Sequence, residues 1–281
     1  MLIKRQKTLY YYLQRKKTCS KLHLAKIFFT LAKESTLPTI FKFYYFTPYK
    51  FGPYSFELFH DLDQFQQKKI ITITENKISI NNTNDQRIDI PQEIIENVDH
   101  VLHTHSKMNE NKLLSYVYET YPDYTIFSHL DKRKEYHRNQ TGVLTIGYQG
   151  KSIDEFLHQL IQEKIEYLID VRKNPWSMKY GYTKSQLETF TGKLMISYQN
   201  IPDLGIPSNL RQDLNSKQDY LTLLEKYRKT INEKKTYLSF LKNLSTHHKI
   251  ALLCFEKDPQ ICHRRIIGET LQNMGSEVTI H

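Results

Sequence analysis

Apolar runs of strand length recur along the second half of the chain. They lie at residues 143–147, 167–171, 196–198, 250–254 and 278–280. The segments between them have the apolar spacing or composition of helices, at residues 153–164, 184–194, 218–244 and 259–274. Strands that alternate with helices are typical of a parallel sheet covered by helices. The pattern therefore predicts an α/β domain.

The first half has a different pattern, which is two helices followed by a hairpin. Residues 21–33 and 54–68 carry apolar side chains at helical spacing. Residues 70–74 and 77–80 alternate like the arms of a β-hairpin, with Glu75 and Asn76 between them. Helix, helix and hairpin in this order predict an α+β winged-helix domain.

One turn in this half supports the same interpretation. Residues 49–55 read Tyr-Lys-Phe-Gly-Pro-Tyr-Ser, and this turn resembles one carried by a group of winged-helix domains. Residues 117–122 resemble a later segment of those domains. Some of them bind DNA and others bind protein partners, so the resemblance leaves both roles open.

Glycine usage indicates where the two domains meet. Gly52 precedes residue 140, whereas the other eight of the nine glycines follow it. The polar segment 132–141 lies between the two patterned regions and contains almost no apolar residue. We therefore expect a winged-helix domain at 1–131, a linker at 132–141 and an α/β domain at 142–281.

Composition and charge narrow the class of protein. The chain has 281 residues, of which 39% are hydrophobic, and no run is long enough to span a membrane. The first residues lack the apolar core of a signal peptide, so we expect a cytoplasmic protein with no membrane partner. Its three cysteines predict reduced thiols rather than a disulfide framework.

The net charge of +10 comes from the beginning of the chain. Residues 1–50 contain eleven Lys or Arg residues and the single acid Glu34. Such a block is typical of a surface that binds a polyanion, most often nucleic acid. The alternative is a solvated basic face. The candidate DNA-binding residues are Arg15, Lys16, Lys17, Lys21 and Lys26.

The ends of the predicted strands carry the candidate chemistry. In a parallel sheet, ligands bind beyond the carboxyl ends of the strands. Asp170 and Glu256 each follow such a strand. Asp258 and Pro259 predict the beginning of the last long helix. We expect Gly147, Tyr148, Arg172, Cys262, His263 and Arg264 to share this edge with the two carboxylates.

Several separated motifs resemble the domain of unknown function 488 family over residues 142–281. They are Ile146-Gly147-Tyr148, Asp170-Val171-Arg172 with Pro175 and Ser177, Leu204-Gly205, Tyr227-Arg228, and Leu253-Cys254-Phe255-Glu256 through Cys262-His263-Arg264. The resemblance implies a compact Rossmann-like domain linked to DNA modification, repair or defence. It also implies that Ser177, Tyr227 and Arg228 bind substrate. Residues 206–209 replace the glycine- and arginine-rich continuation that the family often has.

A carboxylate beside cationic side chains suits cleavage of an N-glycosidic bond, whose transition state is positively charged on the sugar. Glu256 or Asp170 would supply the anion or base, and Arg172, His263 or Arg264 would hold phosphate or protonate the leaving group. Trp176, Tyr148 and Tyr180 are candidate stacking surfaces for a base taken out of a DNA strand. The sequence thus predicts a glycosylase-like DNA hydrolase.

Three alternatives remain open at this stage: a nuclease, a DNA-binding regulator that senses a nucleotide-like ligand, and a protein-docking adaptor of a defence or toxin–antitoxin system. We expect no cofactor and no metal site, and we leave assembly into a homo-oligomer open. Cys254, Cys262 and His263 also allow a zinc or thiol interpretation, but a structural or anion-binding role for this turn is favoured.

Overall fold

The computed structural model describes residues 2–81, 88–130, 136–211, 214 and 216–281. The chain divides into two compact units, Met1–Tyr136 and His137–His281. The division falls within the segment 132–141 that the sequence predicts as a linker, and residues 132–135 of that segment lie outside the described residues. Each unit has its own hydrophobic core.

The first unit combines helices with two small antiparallel sheets. Its elements in chain order are α1 (Lys4–Lys16), β1 (Thr18–Ser20), α2 (Lys21–Glu34), α3 (Leu37–Ile40), β2 (Thr47–Tyr49), β3 (Gly52–Tyr54), α4 (Phe56–Gln67), β4 (Ile71–Thr74), β5 (Lys77–Ile80), α5 (Gln92–Thr104) and α6 (Glu110–Thr120). Strands β1, β5 and β4 form a sheet in that order, and β2 pairs with β3. The predicted hairpin is β4–β5.

Serine residues cap the N-termini of the two predicted helices of this unit. The Ser20 side chain accepts the backbone N–H of His23 at the beginning of α2, and the Ser55 side chain accepts that of Leu58 at the beginning of α4. The prediction that the second helix begins at residue 54 is wrong. Tyr54 belongs to β3, which pairs with β2 and keeps the backbone extended until Ser55.

The second unit is built on a parallel sheet. Its elements are β6 (Gly142–Gly147), α7 (Ile153–Gln162), β7 (Tyr167–Asp170), α8 (Lys184–Gly192), β8 (Ser197–Asn200), α9 (Lys217–Thr230), α10 (Lys235–His247), β9 (Lys249–Cys254), α11 (His263–Asn273) and β10 (Val278–Ile280). The five strands are parallel and lie in the order β10-β6-β9-β7-β8. This confirms the predicted parallel sheet with flanking helices.

One face of this sheet packs against three helices. Val143, Ile169 and Leu252 of the sheet share a buried cluster with apolar side chains of α9, α10 and α11. The predicted helix 218–244 is in fact α9 and α10, because a short 3₁₀ turn at Ile231–Lys234 separates them. Ile231, within this turn, is buried.

Among the described residues, no helix combines the length and the apolar character that crossing a membrane requires.

Candidate active site

The register of the parallel sheet brings four strand ends to one edge. Gly147 of β6 pairs with Cys254 of β9, and Asp170 of β7 pairs with Leu253 of β9 and with Asn200 of β8. The turns that follow these residues therefore lie side by side. Most of the residues that the sequence predicts for the site come from these turns.

Asp170 fixes the guanidinium group of Arg172. The carboxylate is fully buried and accepts hydrogen bonds from Arg172 Nε at 2.8 Å and Nη2 at 2.5 Å, and from the Tyr198 hydroxyl at 2.8 Å. Arg172 Nη1 donates to the Tyr148 hydroxyl and to the backbone carbonyl of Tyr182. Asp170 is thus sealed from solvent, and its geometry is that of a group that positions Arg172.

Arg172 lines a cavity of about 290 Å³. The other lining residues are Tyr148, Lys173, Asn174, Trp176, Ser177, Ile206, Arg211 and Phe255. The Tyr148 ring stacks on Tyr182 with 4.1 Å between centroids, so packing fixes its position in the wall of the cavity. Trp176 lines the same cavity, and 66% of its surface is exposed.

Glu256 lies next to this cavity, in a second one of about 190 Å³ that His263 and Arg211 also line. Glu256 Oε2 accepts hydrogen bonds from the thiols of Cys254 and Cys262, each at 2.9 Å. Its other oxygen, Oε1, lies 3.4 Å from Arg211 Nη1. Burial raises the pKa of Glu256 above its ordinary value, and the positive charge of Arg211 only partly opposes this.

The turn after Glu256 differs from the predicted helix. The Asp258 side chain accepts the backbone N–H of Gln260, but it caps only a 3₁₀ turn at Pro259–Ile261. Cys262 is extended, with φ −126° and ψ 135°, and α11 begins at His263. The prediction that the long helix begins at residue 259 is therefore wrong, because the extended residue interrupts the helical hydrogen bonds.

Arg264 holds this turn through hydrogen bonds to backbone carbonyls. Its buried guanidinium donates to the backbone carbonyls of Glu256 at 2.6 Å, Lys257 at 3.1 Å and His281 at 2.9 Å. The side chain is 0% exposed. Arg264 lies in contact with the turn rather than with either cavity, so the geometry favours a positioning role over the predicted contact with substrate.

His263 and the two cysteines form a compact buried cluster. His263 Nε2 lies 3.0 Å from the carbonyl oxygen of Val171. A carbonyl only accepts, so Nε2 donates, and Nδ1 faces Cys254 Sγ at 3.7 Å and Arg211 Nη2 at 3.3 Å. Burial raises the pKa of the Cys262 thiol well above its usual range. His263 is 0% exposed and meets the smaller cavity only at its wall, so it is closer to a structural or positioning group than to the predicted proton donor.

The remaining predicted substrate-binding residues have other surroundings. The Tyr227 hydroxyl donates to the carbonyl of Leu204 at 2.6 Å within the core. Arg228 Nη2 pairs with Glu269 at 2.8 Å and lines a different cavity. The ring of Tyr180 packs against Phe190. The Tyr227 ring does pack on His263, with 5.5 Å between centroids, so it lies beside the Glu256 turn while its hydroxyl is used within the core. Arg228 and Tyr180 line neither of the two cavities.

Sequence reasoning missed Arg211. This residue lines both cavities and contacts Glu256 and His263. It follows residues 206–209, where the family's glycine- and arginine-rich continuation is replaced. In the sequence, the one sign of a role for Arg211 is its place two residues beyond that departure. Its contact with Glu256 joins residues 45 positions apart in the chain, so no local pattern reveals it.

The candidate DNA-binding residues of the first unit are not equivalent. Lys16 and Lys17 are exposed, Lys21 is partly exposed, and Arg15 pairs with Asp99 at 3.0 Å. Lys26 is 1% exposed, and its ammonium group donates to the carbonyls of Pro53 at 3.2 Å and of Phe51. The prediction that Lys26 contacts nucleic acid is therefore corrected, because its charge is enclosed by the core.

Comparisons with known proteins bear on the second unit. Residues 152–271 match the family model described as "Domain of unknown function DUF488". This confirms the family resemblance for that part of the chain. A comparison with curated proteins gives no match, and a comparison with solved structures gives none either.

Proposed function

We propose that the domain containing residues 152–271, which match the DUF488 family model, is a hydrolase that cleaves the N-glycosidic bond of a nucleotide unit in DNA. The observation that carries the proposal is the position of Arg211, which lines both the cavity of Glu256 and the cavity of Arg172. A ligand that spans the two cavities would meet a carboxylate in one and guanidinium groups in both.

The two cavities suit different parts of a nucleotide. Arg172, Lys173 and Asn174 supply donors for a phosphate group in the larger cavity. Because Asp170 holds Arg172 with two hydrogen bonds, this guanidinium is oriented before a ligand arrives. A preoriented donor binds an anion with little loss of side-chain entropy.

Glu256 would act on the sugar–base bond. Cleavage of this bond leaves positive charge on the sugar, and a nearby carboxylate stabilises that charge or activates the attacking water. Glu256 is 9% exposed and lines the smaller cavity, so one face of its carboxylate can reach a ligand. Asp170 is 0% exposed and would act only through Arg172.

The test is incubation of the purified chain with plain and base-modified DNA, single-stranded and duplex, followed by mass spectrometry of small products and of strand length. We expect a free base, and a loss of its formation by about 100-fold or more in Glu256→Gln. Glu225→Gln, which changes an exposed acid of the same unit, is the matched control. Strand scission without free base would replace the proposal by a nuclease, and intact DNA throughout would replace it by a ligand sensor.

For the first unit we propose a winged helix that brings DNA to this domain. The support is topological, since β1 between α1 and α2 joins the hairpin in the sheet order β1-β5-β4. Lys16 and Lys17 at the end of α1 are exposed cations. Changing Arg15, Lys16 and Lys17 to Gln should weaken DNA binding and lower the dependence of its affinity on salt.

A second candidate for this unit is protein docking, and one observation favours it. Helix α4, which would correspond to the recognition helix of a winged helix, contains no Lys or Arg and exposes the acid Asp63, whereas its other two acids, Glu57 and Asp61, are buried against Arg5. Acidic side chains repel DNA phosphates. Unchanged DNA affinity in the triple Gln variant, compared with a control that changes the exposed Lys226, Lys229 and Lys235, would favour this candidate.

A further inference from the structure

Three side chains that commonly bind metal ions meet beside Glu256. Cys254 ends β9, Cys262 precedes α11 and His263 begins it. All three are at most 1% exposed, and their ligand atoms lie within 4.8 Å of one another. Two sulfur atoms and one imidazole nitrogen form a donor set that suits zinc.

One ligand-to-ligand distance agrees with a small tetrahedral site. Cys254 Sγ lies 3.7 Å from His263 Nδ1. With Zn–S near 2.3 Å and Zn–N near 2.1 Å, two tetrahedral ligands of this kind are about 3.6 Å apart. Binding would therefore need little movement of this pair.

The orientation of the imidazole is also that of a metal ligand. His263 Nε2 donates to the carbonyl of Val171 at 3.0 Å, so this nitrogen carries a proton and cannot bind the ion. Such a hydrogen bond from the second nitrogen is the usual arrangement around a metal-bound histidine, because it fixes both tautomer and ring. Nδ1 lies 3.7 Å from Cys254 Sγ and 3.3 Å from Arg211 Nη2, so Arg211 gives up this contact when the ion binds.

Hydrogen bonding alone satisfies this cluster poorly. The Glu256 carboxylate receives two thiol donors at 2.9 Å and the more distant Arg211 at 3.4 Å. A thiol is a weak donor, and burying a carboxylate with weak partners is costly. Zn²⁺ would replace the two thiol protons without changing the net charge of the cluster, and Arg211 would remain the cationic partner of Glu256.

We infer that Cys254, Cys262 and Nδ1 of His263 bind one Zn²⁺ ion, whose fourth position opens toward the cavity lined by Glu256 and Arg211. Both thiols lose their protons to solvent when the ion binds. Water at the fourth position would lie next to the Glu256 carboxylate, and this last role rests on the hydrolase proposed above. Metal binding itself is independent of that proposal.

The experiment measures metal without any DNA. The full chain is purified with reductant and without chelator, its zinc is measured by mass spectrometry, and the metal-free protein is titrated with Co²⁺. We expect one zinc per chain, and a cobalt complex with the sulfur-to-cobalt absorption and the visible bands of a tetrahedral site. Added Zn²⁺ should displace the cobalt.

Four variants localise the ion. Cys262→Ser and His263→Gln should lose the metal, while Cys19→Ser, which changes the buried cysteine of the other unit, should keep it. Glu256→Gln should also keep it, because the fourth position is open. Loss of metal from Glu256→Gln would overturn the open position.

A folded, reduced wild-type chain that binds neither Zn²⁺ nor Co²⁺ would overturn the site, whatever the variants do. Rapid alkylation of Cys254 in that protein would identify a thiol–imidazole pair instead, and a Cys254–Cys262 disulfide would identify a redox pair. Zinc without release of a base would contradict the hydrolase and leave the site standing.

Discussion

The backbone carbonyl of Glu256 lies against Gly147, where an added Cβ atom would be 1.9 Å from its oxygen. No side chain fits at that distance, so Gly147 lets the end of β6 meet the turn that carries Glu256. Arg264 holds the same carbonyl from another direction at 2.6 Å. The position of the Glu256 turn therefore depends on the absence of a side chain at Gly147 and on the buried guanidinium group of Arg264.

Gly147→Ala should displace this turn. We expect the free energy of unfolding to fall by about 1–3 kcal/mol, since the new methyl group overpacks a buried contact. Gly192→Ala is the matched control, because nothing lies within 4 Å of a Cβ atom there. Urea unfolding of the two variants measures the difference, and equal stabilities would contradict the close approach.

Asp170→Asn should destabilise the protein by about 3–5 kcal/mol, because it leaves the buried Arg172 guanidinium without its countercharge. Tyr198→Phe removes only one hydrogen bond to the same carboxylate and should cost about 1 kcal/mol. Chemical denaturation of both variants is the measurement. Asp203→Asn, at a side chain that is 52% exposed, is the control and should stay near wild type.

Arg211→Gln should weaken the binding of a phosphate-bearing ligand without unfolding the chain. A hydrogen bond to a charged group contributes about 1.5–3 kcal/mol, which corresponds to roughly 10–100-fold in affinity. Because the Arg211 side chain is 32% exposed, its loss costs less stability than the loss of a fully buried ionic partner such as Asp170. Calorimetric titration with mononucleotides measures the effect, and Arg228→Gln, which changes a residue of another cavity, should bind like wild type.

Lys26 should make stability depend on pH. Burial lowers the pKa of its ammonium group from 10.5 to about 7. Between these values the unfolded chain binds the proton and the folded chain does not, so stability rises with pH by up to about 1.4 kcal/mol per unit. Below pH 7 both states are protonated and the contribution stays constant.

Lys26→Met should remove this rise, whereas Lys112→Met, which changes an exposed side chain of α6, should keep it. The difference between variant and wild type isolates Lys26 from the other groups that titrate in this range. Thermal unfolding between pH 7 and 10 is the measurement. An unchanged slope in Lys26→Met would mean that the ammonium group stays charged in the folded protein.

The burial of Lys26 also marks a limit of sequence reasoning. The predicted helix 21–33 is observed as α2, with its apolar side chains in the core. A lysine in a basic run is expected at the surface, and its neighbours in sequence give no reason to expect otherwise. Two carbonyls from residues 51 and 53 enclose it. Such contacts depend on how the β2–β3 turn packs on α2, which no local pattern describes.

For the second unit, the sequence by itself determined the parallel sheet and the edge that carries the site. Strands buried on both faces need nearly continuous apolar runs, and residues 250–254 are such a run, so their ends could be read directly. Asp170 and Glu256 lie at or just beyond two of those ends, so the sequence located both carboxylates.

Only the tertiary structure decided what each of these carboxylates does. Asp170 is enclosed with Arg172, whereas Glu256 meets Cys254, Cys262 and Arg211. The partners of Glu256 come from β9, from the extended residue before α11 and from a segment 45 residues away. Periodicity reports which face of an element is apolar, but burial and pairing of a polar group depend on distant segments that folding brings together.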